Sequence, residues 1–210
     1  MEGKIQVVTD SGCDLPPQLA EELDIEVVPL IVRFGTQAYH DGELSVEQFW
    51  AKVSGPHHPA TSQPSVGTFE EVFERPVARG RQALCVTITS KHSGTFNAAQ
   101  VAAQRFGQAV TVFDSLSLSL GLGLQALAAA QAARAGRSMQ QTLALLEDLR
   151  ARMRLLIVLE ALDNLRRGGR ADAFILAAGR MTQALNVKLL VNLGKDNCGR
   201  WARRDRSGAD

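Results

Sequence analysis

Short runs rich in β-branched residues alternate with longer stretches of helical periodicity from residue 4 to about residue 155. That alternation, more than any single motif, restricts what this chain can fold into. Residues 4–8, 25–34, 83–89 and 110–113 read as strands. Between them, apolar residues recur three and four apart: Leu19, Ala20 and Leu23, then Phe69, Val72 and Phe73, then a small-residue stretch at 95–106. A long Leu/Ala stretch follows at 120–135. Strand–helix–strand repetition needs crossover connections, and these produce a parallel sheet with helices on both faces. The sequence therefore predicts an α/β fold with a parallel-sheet N-terminal domain at residues 1–154.

Local signals place the helix starts and turns. Asp14 ahead of Pro16-Pro17 reads as a helix cap, because a carboxylate accepts free N–H groups and proline needs no donor there. Ser45-Val46-Glu47-Gln48 and Ser138-Met139-Gln140-Gln141 are capping-box patterns, and Ser65 is placed to cap a helix carrying Phe69 and Phe73. Thr9-Asp10-Ser11-Gly12 reads as a loop. Gly35-Thr36 predicts a turn into a short arm at 37–40, and 54–63, rich in Ser, Gly, Pro and His, reads as loop.

Beyond residue 154 a second α/β domain is expected at 155–193, with strands at 155–159 and 187–193 and helices at 160–167 and 171–185. Residues 194–210 lose both periodicities and carry Arg200, Arg203, Arg204 and Arg206 around Trp201. They read as a poorly ordered tail. The second domain then reads as truncated, with Ile175, Leu176, Leu189 and Val191 left uncovered.

Composition narrows the function. Lys+Arg 23 against Asp+Glu 22 leaves a net charge of +1, so no electrostatic case exists for nucleic acid or an acidic membrane surface. Eight Phe, two Trp and one Tyr supply too few rings for base stacking. Cys13, Cys85 and Cys198 are an odd number without C-x-x-C spacing, which argues against a disulfide framework or a zinc site. The first residues show no signal-peptide core, and the apolar stretches fall short of the ~20 residues that span a bilayer. A cytoplasmic protein without metal or cofactor is expected.

In open parallel sheets, ligands bind beyond the carboxyl ends of the strands. Three such ends carry hydroxyls and carboxylates here: Thr9-Asp10-Ser11, residues 90–94, and Asp114-Ser115. Such residues also serve as turns and caps, and both readings stand. Ser93-Gly94-Thr95 opens a helix, whose free N–H groups and partial positive charge favour an anion. No G-x-x-x-x-G-K-[ST] is present. Ser93 as the nucleophile of a hydrolase or acyl-transfer enzyme is the competing reading, but G-x-S-x-G is absent and no base is identifiable. His40, His57 and His58 lie in surface-like segments, and no carboxylate completes a metal site with the His57-His58 pair. Arg166-Arg167-Gly168-Gly169-Arg170 is a basic turn that suits an exposed helix end.

These motifs together resemble the DegV family of bacterial fatty-acid-binding proteins. The resemblance runs through Val8-Thr9-Asp10-Ser11 with Asp14-Leu15-Pro16, Val28-Pro29-Leu30, Tyr39-His40-Asp41-Gly42, and Thr61-Ser62-Gln63-Pro64-Ser65. It continues through Ser93-Gly94-Thr95-Phe96 with Asn97-Ala98-Ala99, and Asp114-Ser115 with Ser119, Gly121 and Gly123. It ends with Leu165, Gly168-Gly169-Arg170 and Asn186-Val187-Lys188, and nothing after Gly194 matches. The resemblance implies two α/β domains holding a long-chain fatty acid between them. It implies that Thr61, Ser62, Ser93 and Gly94 hold the carboxylate, with Thr95 at the helix start and Arg170 nearby or docking a kinase. It further implies a non-enzymatic carrier in phospholipid metabolism, which presents the acid to a partner fatty-acid kinase for acyl-phosphate formation.

Overall fold

The computed structural model describes residues 5–159 and 189–193, with backbone alone at 158, 159 and 189–193. The chain divides into two compact units, Met1–Met153 and Arg154–Asp210.

In the first unit, β1 (Ile5–Asp10) runs into a 3₁₀ turn (Ser11–Cys13) and a short helix, α1 (Pro17–Glu22). β2 (Ile25–Val28) follows. An arm comes next: β3 (Ile31–Phe34), β4 (Gln37–His40), α2 (Val46–Val53) and β5 (Pro59–Ser62). Then come α3 (Val66–Ala78), β6 (Gln82–Thr87), α4 (Thr95–Ala103), β7 (Val110–Asp114), α5 (Ser119–Arg134) and α6 (Met139–Arg152). The strands form a four-stranded sheet in the order β2-β1-β6-β7 and a three-stranded sheet in the order β4-β3-β5. All pairings in the first sheet are parallel, with Val7 opposite Ile25 and Leu84, and Cys85 opposite Val112.

Side chains of a strand alternate between faces, and the two cores follow that rule. Ile5, Val7, Leu84 and Val86 pack with Leu122, Ala129, Ala130 and Leu146 of α5 and α6. Val8, Ala83 and Cys85 pack on the other face with Phe69, Val72 and Phe73 of α3 and Ala98, Ala99 and Ala102 of α4. Every residue of β1 is buried, as a strand covered on both faces requires. Phe69 and Phe73, one turn apart with ring centroids 5.7 Å from each other, are fully buried; each such side chain contributes about 1.5–3 kcal/mol by leaving water.

The capping boxes at Ser45 and Ser138 form, each with the Gln three residues on, and Ser65 caps α3 through Thr68 N–H. Gly35 turns the arm with φ +61°.

Four local expectations are corrected. Asp14 does not cap α1: it sits in left-handed conformation at the end of the 3₁₀ turn, and Pro16 takes the cap position. The single strand expected at 25–34 is two strands in different sheets; it breaks at Pro29, which has no N–H for a ladder. The loop expected at 54–63 contains β5, which pairs antiparallel with β3, Thr61 opposite Val32 and Ser62 opposite Ile31. Thr9 and Asp10 belong to β1 rather than to a loop.

In the second unit, β8 (Leu155–Leu159) pairs antiparallel with β9 (Leu189–Leu193). The expected helices at 160–167 and 171–185, the tail at 194–210, Arg170, Ile175 and Leu176 lie outside the described residues, as do the side chains of Leu189 and Val191. No described helix is long and apolar enough to cross a membrane. Cys13 and Cys85 are buried free thiols.

Gly123 lets α5 approach the turn that follows β1. A Cβ on Gly123 would lie 2.5 Å from the backbone oxygen of Cys13 and 3.1 Å from Leu15. In an ordinary helix Gly→Ala gains about 1 kcal/mol, but overpacking against backbone costs about 1–3 kcal/mol, so the steric effect wins. Gly123→Ala should therefore lower the urea midpoint. A midpoint at or above that of the unmodified protein would show that the turn yields without cost.

Candidate functional site at the carboxyl edge of the sheet

Because the four strands are parallel, their carboxyl ends share one edge. With β6 between β1 and β7, the segments after these three strands become neighbours, and side chains from the outer two reach the backbone of the middle one.

Asp10 is fully buried at the end of β1. Its Oδ2 accepts from Ile88 N–H at 2.7 Å and its Oδ1 from Gly12 N–H at 3.1 Å. Burial pushes its carboxyl up from 3.8 to about 6, against the opposing pull of these N–H donors. One residue earlier, Thr9 Oγ1 donates to the Val86 carbonyl at 2.8 Å. From the other side, Thr89 N–H donates to the Ser117 carbonyl at 2.9 Å. Ser90 N–H donates to the Asp114 carboxylate at 3.2 Å and 3.4 Å.

This braced segment leads into Ser93-Gly94-Thr95. Ser93 Oγ lies 2.8 Å from Thr95 Oγ1 and accepts from Thr95 N–H at 3.3 Å. Thr95 is fully buried, and Gly94 occupies the cap position of α4 without a side-chain cap of its own. The start of this helix thus combines hydroxyls with first-turn N–H groups, of which Ser93 Oγ takes up that of Thr95.

Thr61 is exposed on β5 and Ser62 is half-buried. What ties their segment to α4 is Gln63: a Cβ on Gly94 would come within 3.0 Å of the Gln63 side-chain carboxamide. Glycine at 94 is what leaves room for that amide. The structure thus brings the segment bearing Thr61 and Ser62 against the one bearing Ser93, Gly94 and Thr95. Arg170 lies outside the described residues. Asp10 and Gln63 were within reach of sequence reading, since both stand in singled-out motifs. The bonds they make depend on partners far along the chain.

His40, His57 and His58 are exposed, and the described residues hold no group of three or more His, Cys, Asp or Glu able to bind a metal. Two open grooves of about 340 and 410 Å³ lie on the arm, one against Tyr39, Phe49 and Trp50, the other against Phe34, Lys52 and His57. Neither is lined by Thr61, Ser62, Ser93, Gly94 or Thr95. The directional donors are at the sheet edge.

A doubly covered parallel sheet with a polar carboxyl edge defines an α/β protein of the open-sheet class, in which ligands ordinarily bind at that edge. The family model for uncharacterised proteins of the DegV family matches residues 4–203, so the match extends past Gly194, where the recognisable motifs end. The chain belongs to the DegV family. A DegV domain-containing protein of Lactococcus lactis is 36% identical over 180 residues, 85% of this chain and 65% of that protein. The chain thus spans just under two thirds of that relative's length. A DegV family protein of Thermus thermophilus, solved in a study of its fatty acid binding, superposes with a TM-score of 0.83 at 35% identity, over 95% of this chain and 72% of that one. A stearic acid-binding protein of Eubacterium ventriosum superposes with a TM-score of 0.82 at 27% identity, over 95% and 71%.

The raised Asp10 pKa has a signed consequence. The folded state holds this proton more tightly than the unfolded chain. Protonation therefore favours folding, and that contribution is complete below about pH 4 and lost as pH rises through about 6. The shift corresponds to about 3 kcal/mol. In Asp10→Asn this component is absent. The stability of the unmodified protein minus that of Asp10→Asn, from urea unfolding, should fall by about that amount between pH 4 and 7. A difference flat with pH would mean that Asp10 titrates normally.

Proposed function

We propose that this chain binds a long-chain fatty acid, its carboxylate held at the start of α4 by Ser93, Gly94 and Thr95, with Thr61 and Ser62 beside them. The observation that carries this reading is the packing of Gln63 on Gly94, which joins the two hydroxyl-bearing motifs at one helix N-terminus. A carboxylate there gains charge-assisted hydrogen bonds and the favourable end of the helix dipole. The acyl chain needs apolar surface, since each buried CH₂ contributes about 0.8 kcal/mol. Leu120 and Leu124, 60% and 56% exposed, stand one turn apart at the start of α5, which opens from the same edge. The relatives from Thermus thermophilus and Eubacterium ventriosum support the ligand class by their own fatty acid binding.

On this reading the protein is a cytoplasmic carrier, with no chemistry of its own. A partner kinase transfers the terminal phosphoryl group of ATP to the bound carboxylate, forming the acyl phosphate. Arg170 belongs to the proposal through its place in the Gly-Gly-Arg motif. Native mass spectrometry should find a C16–C18 acid co-purified and released on denaturation. A covalent acyl adduct on Ser93 would instead identify an acyl-transfer enzyme. Ser93→Ala should weaken palmitate binding by about 1–3 kcal/mol, the range for a hydrogen bond to a charged group, measured by calorimetric titration. Unchanged affinity would remove Ser93 from the carboxylate site.

A further inference from the structure

We propose that Asp114 is a positioning residue for this site, holding the segment that carries Ser93, Gly94 and Thr95 without touching the ligand. The proposal takes its ligand from the fatty-acid reading above. Three successive backbone N–H groups after β6 are each held by a different neighbour. Ile88 N–H goes to the Asp10 carboxylate, Thr89 N–H to the Ser117 carbonyl, and Ser90 N–H to the Asp114 carboxylate. The next two N–H groups turn inward, Lys91 to Thr89 Oγ1 at 3.3 Å and His92 to the Thr89 carbonyl at 3.3 Å. Asp114 thus braces the segment from another strand at Ser90, three residues before Ser93.

Asp114 is itself held. Its Oδ1 also accepts from Leu116 N–H at 3.0 Å, closing the turn after β7. Its backbone carbonyl accepts from Arg150 Nη1 at 2.8 Å, and the Arg150 guanidinium lies 4.6 Å above the Phe113 ring. A line of contacts therefore runs from α6 through the end of β7 to Ser90. A charge this near an anion site would repel the ligand. The role left to the side chain is that of an acceptor, and the acceptor is what the geometry uses. Oδ1 takes both Ser90 and Leu116, so one oxygen suffices.

That distinguishes positioning from charge and from plain stability. Asn supplies one acceptor oxygen and no charge, whereas Ala supplies neither. In the full-length chain, Asp114→Ala should weaken palmitate binding about tenfold or more, the loss expected when a site held by a charged hydrogen bond loosens. It should also speed amide exchange at residues 88–95 and at Leu116 in the ligand-free protein. Asp114→Asn should restore both, binding within about threefold of the unmodified protein or tighter. Ser138→Ala, which removes the cap of α6, provides a variant of lowered melting temperature with unchanged affinity. The proposal is overturned if Asp114→Ala binds normally, if Asn is as defective as Ala, or if Ser138→Ala weakens binding as much as Asp114→Ala does. If the unmodified protein takes up no palmitate, the fatty-acid reading falls and exchange alone decides. Faster exchange confined to residues 88–95 and 116 in Ala but not Asn upholds positioning; no change, or a uniform one, overturns it.

Discussion

A carboxylate with no exposure to water, at the end of the central strand, holds the functional edge of this protein together. Among the described residues no cation offsets the burial of Asp10; it has two backbone N–H groups, from Ile88 and Gly12. Ile88 is where the chain has just left β6, so its N–H no longer has a ladder partner, and an unpaired buried N–H costs about 1–3 kcal/mol. Thr9 performs the opposite service one residue earlier, giving its hydroxyl proton to the Val86 carbonyl. β1 therefore adds, through two side chains, hydrogen bonds to the end of β6. The outward course of the segment toward Ser93 begins from a fixed point.

Two further constraints meet on the turn that Asp10 caps. Gly123 presses α5 against the Cys13 carbonyl, so the turn lies between a strand end and a helix. Ser11, in the same turn, accepts from Leu30 N–H at 3.0 Å and donates to Asp41 at 2.7 Å. Those two bonds bind the arm at both ends of the β3–β4 hairpin. The arm's third strand, β5, then leads to Gln63, which returns to the edge at Gly94. The site is thus approached twice from one turn, through β6 by way of Asp10 and through the arm by way of Ser11.

That route explains which parts were legible in the sequence. The capping boxes at Ser45 and Ser138 are complete within four residues, and the alternating faces of β1 and β6 are written in their own side chains. The three polar strand ends follow once the strands are known to be parallel. Asp14 misled because a cap is read from composition, whereas Pro16 and a left-handed residue decided where α1 starts. β5 was invisible because Pro59-Ala60-Thr61-Ser62 has little strand character of its own. It is a strand because β3 offers a free edge, a tertiary circumstance. Gln63 was hidden for the same reason: its contact with Gly94 exists only once the arm has folded back.

The polarity of the edge follows from how its acceptors are used. Two carboxylates stand among the strand ends, an unfavourable setting for a carboxylate ligand if either pointed outward. All four of their oxygens accept backbone N–H groups instead: Gly12 and Ile88 for Asp10, Ser90 and Leu116 for Asp114. Each charge is thereby partly neutralised within the fold by the peptide dipoles it receives. At the start of α4 the balance is reversed. Gly94 contributes no acceptor side chain, and the hydroxyls of Ser93 and Thr95 are paired with each other. Each of those hydroxyls can also reorient to donate, because a hydroxyl carries both functions. Acceptors are turned inward at the two neighbouring strand ends, and donors are gathered at the helix between them. That asymmetry, more than the count of polar groups, is what the proposed carboxylate site rests on.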